Sequence, residues 1–470
     1  MKYPLSIVNF QLNQVGQLER KTQDRVVALF RDPLKYDYLG NWEEREGNSN
    51  VEEDLLRAYL QEAGYSEALI KKAVGKLKRA ASSQITSLYD LNQDVYGLLR
   101  YGIKAKETLG ENNETIWLID WKNPEKNHFA FAEEVTIRGN RTKRPDIVLY
   151  VNGIALGVIE LKRSVVSVSE GIRQNIGNQR DEFIKSFFAT IQLVMAGNDT
   201  EGLRYGTTET TEEYYLTWKE EGLESEQRLD RHILQLCDKK RILELIHDFI
   251  IFDFGIKKTC RHNQFFGVQA AAEYAKRREG GILWHTQGSG KSLIMVWLAK
   301  WIRENIDDAR VLLLTDRTEL DEQIEGVFNG VNEKIYRAKS GRDLIKQLNC
   351  KEKWLMCSLV HKFGRQVKTE DDNIDNYIAE IKKNLPADFS AKGNIYVFVD
   401  ECHRTHTGKL HDAMLELLPN ATFIGFTGTP LLKVDKPKGN SIGVWGKYIH
   451  TYKYDEAVKD KVVYRILLKR

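Results

Sequence analysis

The hydrophobic patterning changes style near residue 245. Before that point, apolar residues recur mostly at helical spacing: from Val51 to Ala63, Leu55, Leu56, Tyr59 and Leu60 form one stripe, and Gly64 ends it. A β-rich stretch follows from Thr115–Ile119 through Phe129–Ile137, Ile147–Tyr150 and Ile154–Leu161. From Glu220 to Lys240 the chain is strongly charged with only spaced Leu, Ile and Cys, which predicts an exposed or bridging helix at a domain boundary. Beyond it come short continuous apolar runs, Ile282–Trp284, Val311–Leu314, Trp354–Met356, Ile395–Val399 and Phe423–Phe426, separated by longer amphipathic stretches. Such runs predict buried parallel strands joined by crossover helices, hence a doubly wound α/β domain. The expected organisation is a domain over 1–220, a helical linker over 221–250, a second domain over 251–455 and the start of another at 456–470.

Composition narrows this picture only slightly. A chain of 470 residues exceeds one ordinary hydrophobic core, and 42% hydrophobic with 29% charged residues suits a folded, water-soluble protein. Lys plus Arg at 70 against Asp plus Glu at 67 leaves +3, so nucleic-acid contact would need local basic surfaces. Cys237, Cys260, Cys350, Cys357 and Cys402 are scattered, with no CxxC pair to suggest a zinc site or a disulfide framework. A reducing cytoplasm is the expected setting. No apolar run near the N-terminus is long enough for a signal peptide or a membrane span, so no membrane partner is expected.

Two stretches carry candidate chemistry. In Glu160-Leu161-Lys162 the outer residues share one strand face while Leu161 and Ile159 point to the other. With Asp146 as a second carboxylate, the set could hold a divalent ion and orient water for phosphodiester hydrolysis. A two-residue Asn152-Gly153 turn would pair Asp146 with Ile159 and face it away from Glu160. A common face therefore predicts a three-residue loop, pairing Tyr150 with Ile154 and Asp146 with Val158, or an equivalent bulge.

Residues 143–163, from Lys143-Arg144-Pro145-Asp146 to Glu160-Leu161-Lys162-Arg163, resemble the PD-(D/E)XK nuclease motif in the restriction subunit of type I restriction-modification enzymes. The resemblance implies Asp146, Glu160 and Lys162 as cleavage residues, with Asp146 and Glu160 on Mg2+. It also implies an upstream helical glutamate, for which Glu19 is first choice and Glu52 or Glu53 the alternatives. A downstream Gln-xxx-Tyr element has only Gln174 with Asn178, or Gln179 with Phe183, to match it, and neither supplies the tyrosine.

The second stretch is Trp284-His285-Thr286-Gln287-Gly288-Ser289-Gly290-Lys291-Ser292, between an apolar run and the helical pattern Leu293–Ile302. Backbone amides from Thr286 to Gly290 would cradle the phosphates of ATP, Lys291 would meet the β and γ groups, and Ser292 would meet magnesium. His285 stands where the strict pattern has glycine. The run Ile395–Val399 delivers Asp400 for magnesium and Glu401 for the attacking water, followed by Cys402 and His403. Thr427-Gly428-Thr429-Pro430 follows another apolar run.

In this order the segments resemble superfamily 2 helicases and translocases. That implies a RecA-like fold, a motif III role for Thr427 and Thr429, an adenine-reading glutamine at Gln264 with Gln269 as second choice, and a DNA-tracking segment at Thr315–Asp321. The whole resemblance is to the front part of a type I restriction subunit, nuclease-like α/β domain first and motor domain second. It implies double-stranded DNA as substrate and methylation and specificity subunits as partners. Residues 1–470 alone are expected to bind ATP weakly and hydrolyse it poorly, because the second motor half lies beyond them. A stand-alone helicase-nuclease of DNA repair is the competing enzyme reading, and a DNA-binding module with two degenerate sites is the non-enzymatic one.

Overall fold

The computed structural model describes residues 19–463 apart from 83–85, 109–111, 223–226, 316–327, 329–334, 360–377, 380, 382, 387–388, 403–406 and 430–444. They form two units, 1–250 with 255–259, and 251–254 with 260–470.

The first unit opens with α1 (Glu19–Arg31), β1 (Asp37–Asn41), α2 (Glu53–Glu62), α3 (Glu67–Ala81) and α4 (Leu88–Tyr101). Its sheet then gains β2 (Phe129–Glu133), β3 (Ile147–Val151), β4 (Ile154–Leu161), β5 (Leu193–Asn198), β6 (Gly202–Gly206) and β7 (Leu216–Thr217), in spatial order 1 to 7. β1 runs parallel to β2 and β4 parallel to β5, while β2–β3–β4 and β5–β6–β7 are antiparallel. Strand alternation gives the sheet two apolar faces. Ala130, Ala132, Val148, Tyr150, Val158, Val194 and Ala196 cluster with Val168 and Ile172 of α5 (Val168–Asn178). On the other face Phe30 of α1 meets Phe131, with ring centroids 5.3 Å apart.

The β3–β4 turn corrects the predicted loop. Val151 pairs with Ile154, so the turn is the two-residue Asn152-Gly153, with φ of 51° and 78°. Both central residues are left-handed, as a type I′ turn requires. The register then slips: Tyr150 pairs with Ala155 but Leu149 with Gly157, leaving Leu156 as an extra residue on β4. By Ile147 the partner is Ile159, and the same register continued past the strand would set Asp146 opposite Glu160. A bulge thus restores the common face, with the slip opposite in sense to the predicted loop.

The charged stretch after residue 220 is also packed. α6 (Arg228–Leu236) and α7 (Lys239–Asp248) bury Leu229, Ile233, Leu236, Ile242, Leu245 and Ile246, and both belong to the first unit. Their charges occupy one side and hide a narrow apolar stripe on the other, which is why composition alone suggested exposure.

In the second unit α8 (His262–Lys276) precedes β8 (Gly281–His285), α9 (Lys291–Asn305), β9 (Ala309–Thr315), β10 (Tyr336–Arg337), α10 (Gly341–Leu348) and β11 (Leu355–Leu359). β12 (Asn394–Asp400), α11 (Thr407–Leu417), β13 (Thr422–Thr427), β14 (Tyr448–Tyr452) and α12 (Tyr454–Lys459) complete it. The sheet is parallel throughout, in order β10-β11-β9-β12-β13-β8-β14. Every predicted apolar run is a strand. β14 had no such signal because it is an edge strand with only Tyr452 buried. Among the described residues no helix is long and apolar enough to cross a membrane.

Candidate functional site

The first candidate site lies where β3 begins and β4 ends. Glu160 is fully buried. Removing a carboxylate from water is expensive unless donors meet it. Two helical amides do so: Gln174 Nε2 donates to Oε2 at 2.6 Å, and Asn178 Nδ2 to Oε1 at 3.3 Å. Four residues apart, they lie on one side of α5. Gly171 faces the sheet here: a Cβ would stand only 3.1 Å from Ala196 Cβ, and 3.5 Å from both Glu160 Cβ and Lys162 Cγ. Glu160 and Lys162 therefore do share the α5-facing side of the sheet.

Asp146 Oδ2 accepts a 2.6 Å hydrogen bond from the Leu161 amide, capping the end of β4. Lys162 Nζ donates to the Leu161 carbonyl at 2.9 Å. The stretch thus gathers two carboxylates, a backbone carbonyl and an ammonium at one end of the sheet. Such hard oxygen donors suit a small divalent cation.

The remaining nuclease expectations sort clearly. Gln174 and Asn178 are the pair that reaches Glu160, whereas Gln179 Nε2 turns back to the Asn175 carbonyl at 3.0 Å and its Oε1 accepts from the Glu209 amide at 2.7 Å. Asn178, four residues after Gln174, offers Glu160 an amide donor where the resemblance implies a tyrosine. Glu52 and Glu53 are corrected away, because the Glu52 amide bonds the Gly153 carbonyl at 2.8 Å, at the turn end of the hairpin opposite to Glu160. Glu53 is occupied with Lys78 at 2.8 Å and Arg57 at 2.9 Å. Glu19 is the first residue of α1, and its side chain lies outside the described residues.

A buried carboxylate that the sequence reading missed is Glu133 on β2. It accepts from Tyr38 at 2.7 Å, Gln23 at 2.9 Å and Arg20 at 3.3 Å, so α1 addresses the sheet through it. Paired with Ile147, it faces away from Glu160. Its only sequence signal was a charged residue ending an apolar strand.

The second candidate site is the phosphate loop between β8 and α9. Gly288 and Gly290 are left-handed at φ 82° and 87°, and the Thr286 carbonyl accepts from Ser289 Oγ at 2.6 Å. Lys291 opens α9 with Ser292 behind it, and its Nζ stands 3.8 Å from Glu401 Oε1. Asp400 ends β12, and Glu401 takes a left-handed backbone at φ 47°, the strained geometry that functional turns retain. Thr427 is buried at the end of β13, and its Oγ1 accepts from the Thr429 amide at 3.1 Å. Gly428 lies against the loop: a Cβ there would be 3.0 Å from the Gln287 amide and 3.3 Å from Lys291 Nζ. The strand ends thus bring Lys291, Glu401 and the Thr427–Thr429 turn together. β13 lies between β8 and β12, so the loop and the carboxylates come from non-adjacent strands.

Gln264 behaves differently from the adenine reader expected. Its Nε2 donates to the carbonyls of Ser289 at 3.3 Å and Gly290 at 3.2 Å, and its Oε1 accepts from the Arg261 amide at 2.8 Å. Both ends of the amide are engaged in bracing the loop. Gln264, not Gln269, is the α8 side chain that reaches it. His403, Pro430 and Asp316–Asp321 lie outside the described residues.

His285 also acquires a role. It is fully buried, and its Nε2 lies 2.9 Å from His450 Nδ1 of β14. Burial first, then the charges of His450, Lys291 and His262, push its pKa well below the ordinary histidine value. Burial lowers His450 too. The pair is therefore neutral at physiological pH, and one ring donates to the other. β14 also bonds the loop directly, its Tyr452 carbonyl accepting from the Thr286 amide at 2.9 Å.

Residues 16–213 match the family model of the type I restriction enzyme R protein N terminus, and residues 263–470 match that of the SWI2/SNF2 ATPase. The chain is 29% identical over 411 residues to a putative type I restriction enzyme MjaIXP endonuclease subunit of Methanocaldococcus jannaschii, covering 78% of this chain and 37% of that protein. It is 28% identical over 427 residues to the type I restriction enzyme HindI endonuclease subunit of Haemophilus influenzae, covering 82% and 39%. The chain spans about two fifths of the length of these curated relatives. A solved nuclease-deletion mutant of the Type ISP restriction-modification enzyme LlaGI in complex with a DNA substrate mimic is 15% identical, covering 44% of this chain and 21% of that one at a TM-score of 0.33. That overlap is too slight to bear on the fold. The resemblance carried by the motifs is borne out by the family models and the curated relatives.

Proposed function

We propose that this chain carries the DNA-cleaving centre and the first ATP-driven motor unit of a type I restriction endonuclease subunit. Its relatives in sequence are such subunits. The observation that carries the cleavage half is that the Asp146 carboxylate accepts from the amide next to Glu160, under a helix that supplies Glu160 with two amide donors. The substrate is double-stranded DNA, and the partners are the methylation and specificity subunits that would choose where the complex binds.

Magnesium fits the donor set of the first site, where the Asp146 and Glu160 carboxylates would hold it. When bound, it polarises the phosphate and makes water more acidic. Gln174 and Asn178 hold the Glu160 carboxylate in a fixed orientation without the ion. Lys162 Nζ, anchored on the Leu161 carbonyl, places a positive charge beside the attacked phosphate and can hand a proton to the leaving oxygen.

In the motor unit Lys291 would balance charge on the β and γ phosphates of ATP, and the loop amides from Thr286 to Gly290 would bind their oxygens. Ser292 and Asp400 would hold the magnesium that accompanies the nucleotide. Glu401 would accept a proton from the attacking water, and Thr427 and Thr429 would relay the nucleotide state.

Nicking of supercoiled plasmid by the whole chain in magnesium tests this reading together with binding of a fluorescent ATP analogue. Lys162→Ala is expected to abolish nicking and leave ATP binding intact, and Lys291→Ala the reverse. Undiminished nicking by Lys162→Ala would refute the assignment.

A further inference from the structure

Just before Asp146 the chain forms a small hairpin in which Ile137 pairs with Lys143. Arg138, Gly139, Asn140, Arg141 and Thr142 at its tip are exposed. The tip is nevertheless fixed. The Asn140 amide donates to the Phe183 carbonyl at 3.1 Å, and its side chain to the Asp181 carbonyl at 2.6 Å. Lys143 Nζ sits 4.1 Å from the Phe183 ring centroid and the Arg141 guanidinium 5.9 Å. Gly139 lies so close that a Cβ would fall 2.1 Å from the Phe183 carbonyl oxygen, so no other residue fits there without movement. Residues 181–183 follow α5, the helix that holds Glu160. Hairpin and carboxylates therefore share one rigid frame.

The charges on this frame are not used up internally. Arg138 pairs with Glu46 at 3.0 Å, and Arg144 with Glu134 at 2.8 Å and with Glu43. Among the described residues Arg141 and Lys143 have aromatic contacts but no carboxylate partner. Arg163, beside Lys162, and Arg180, beyond α5, also lack one. Asp181 is paired with Lys185 at 2.8 Å, which leaves Glu182 as the opposing charge in that segment. An exposed cation–π contact is worth only about 0.5–1 kcal/mol, so stability gives weak reason to hold two unpaired cations at this edge.

We propose that the 137–143 hairpin clamps the phosphate backbone of the duplex to be cut, with Arg141 and Lys143 as its phosphate contacts. This rests on the nuclease reading of the Asp146–Glu160 site. Backbone contacts of this kind position DNA without reading its sequence, which suits a subunit whose cleavage point others select.

A photo-crosslinking residue at Thr142, in the whole chain carrying Asp146→Ala to prevent cleavage, tests the clamp against a fluorescent DNA duplex. The same group at the exposed Lys71 of α3 serves as the control. Crosslinking at Thr142 is expected to exceed the control about tenfold and to fall with rising salt, and R141Q/K143Q to abolish that excess. A yield at Thr142 no greater than at Lys71, or one unmoved by R141Q/K143Q, overturns the proposal. Crosslinking at Thr142 in a chain that never nicks DNA would count against the nuclease reading and for the hairpin. Nicking by the parent chain without crosslinking would do the reverse.

Discussion

The two units build their sites by opposite means. In the first, side chains distant in sequence converge: Asp146 reaches the backbone beside Glu160, and Gln174 and Asn178 descend from a helix. In the second, one nine-residue stretch supplies the loop, and strand ends bring carboxylates and a turn to it. A site built from side chains depends on register, whereas a site built from backbone depends on a few left-handed glycines. The first tolerates loop variation poorly, and the second tolerates side-chain exchange, as His285 in a glycine position illustrates.

The largest test of that contrast is Asp146→Ala. Plasmid nicking is expected to fall on the order of 10³-fold, within the range for loss of a directly acting group, while ATP-analogue affinity stays unchanged. Parallel loss of both would mean that the sites are not independent. Next in size, Lys291→Ala removes a charge-assisted contact of about 1.5–3 kcal/mol, so equilibrium binding of the analogue is expected to weaken about 10- to 100-fold. An affinity within twofold of the parent would show that the loop backbone suffices alone.

A third test compares buried histidines. His232 of α6 accepts from the Leu203 amide at 3.1 Å, and burial is the main cause that pushes its pKa down from 6.5 to about 4. The folded chain keeps it neutral while the unfolded chain protonates near 6.5, so its stabilisation is complete above that pH and is lost progressively down to about pH 4. The loss is about 2–3 kcal/mol. Urea midpoints at pH 7.5 and 4.5 are expected to diverge less in His232→Gln than in the parent, and equal divergence would remove His232 as a cause. The smallest effect expected is that of Gly153→Ala. With φ at 78° and a Cβ only 2.6 Å from the Glu52 carbonyl oxygen, the turn should lose about 1–3 kcal/mol, read by denaturant unfolding. Nicking should fall with it if register matters, and stability lost without any loss of nicking would separate turn from site.

Much of the motor unit was legible because its strands are continuous apolar runs and its loop is contiguous. β14 was not, since an edge strand carries no such run, and with it went the His285–His450 pair. In the first unit the Asp146, Glu160 and Lys162 types were readable, but their meeting depended on a one-residue slip at Leu156 that no local propensity marks. The α6–α7 stretch was misjudged because charge content was weighed above a narrow apolar stripe.

The amino-acid sequence determined the residue chemistry, the order of the two units and the position of the phosphate loop, because each is encoded within a few neighbouring residues. The tertiary structure decided which amides hold Glu160, that Gln264 braces the loop, and how Asp146 came to face Glu160. These contacts join residues far apart in the chain, and sheet register and helix docking, not local pattern, set which of them meet.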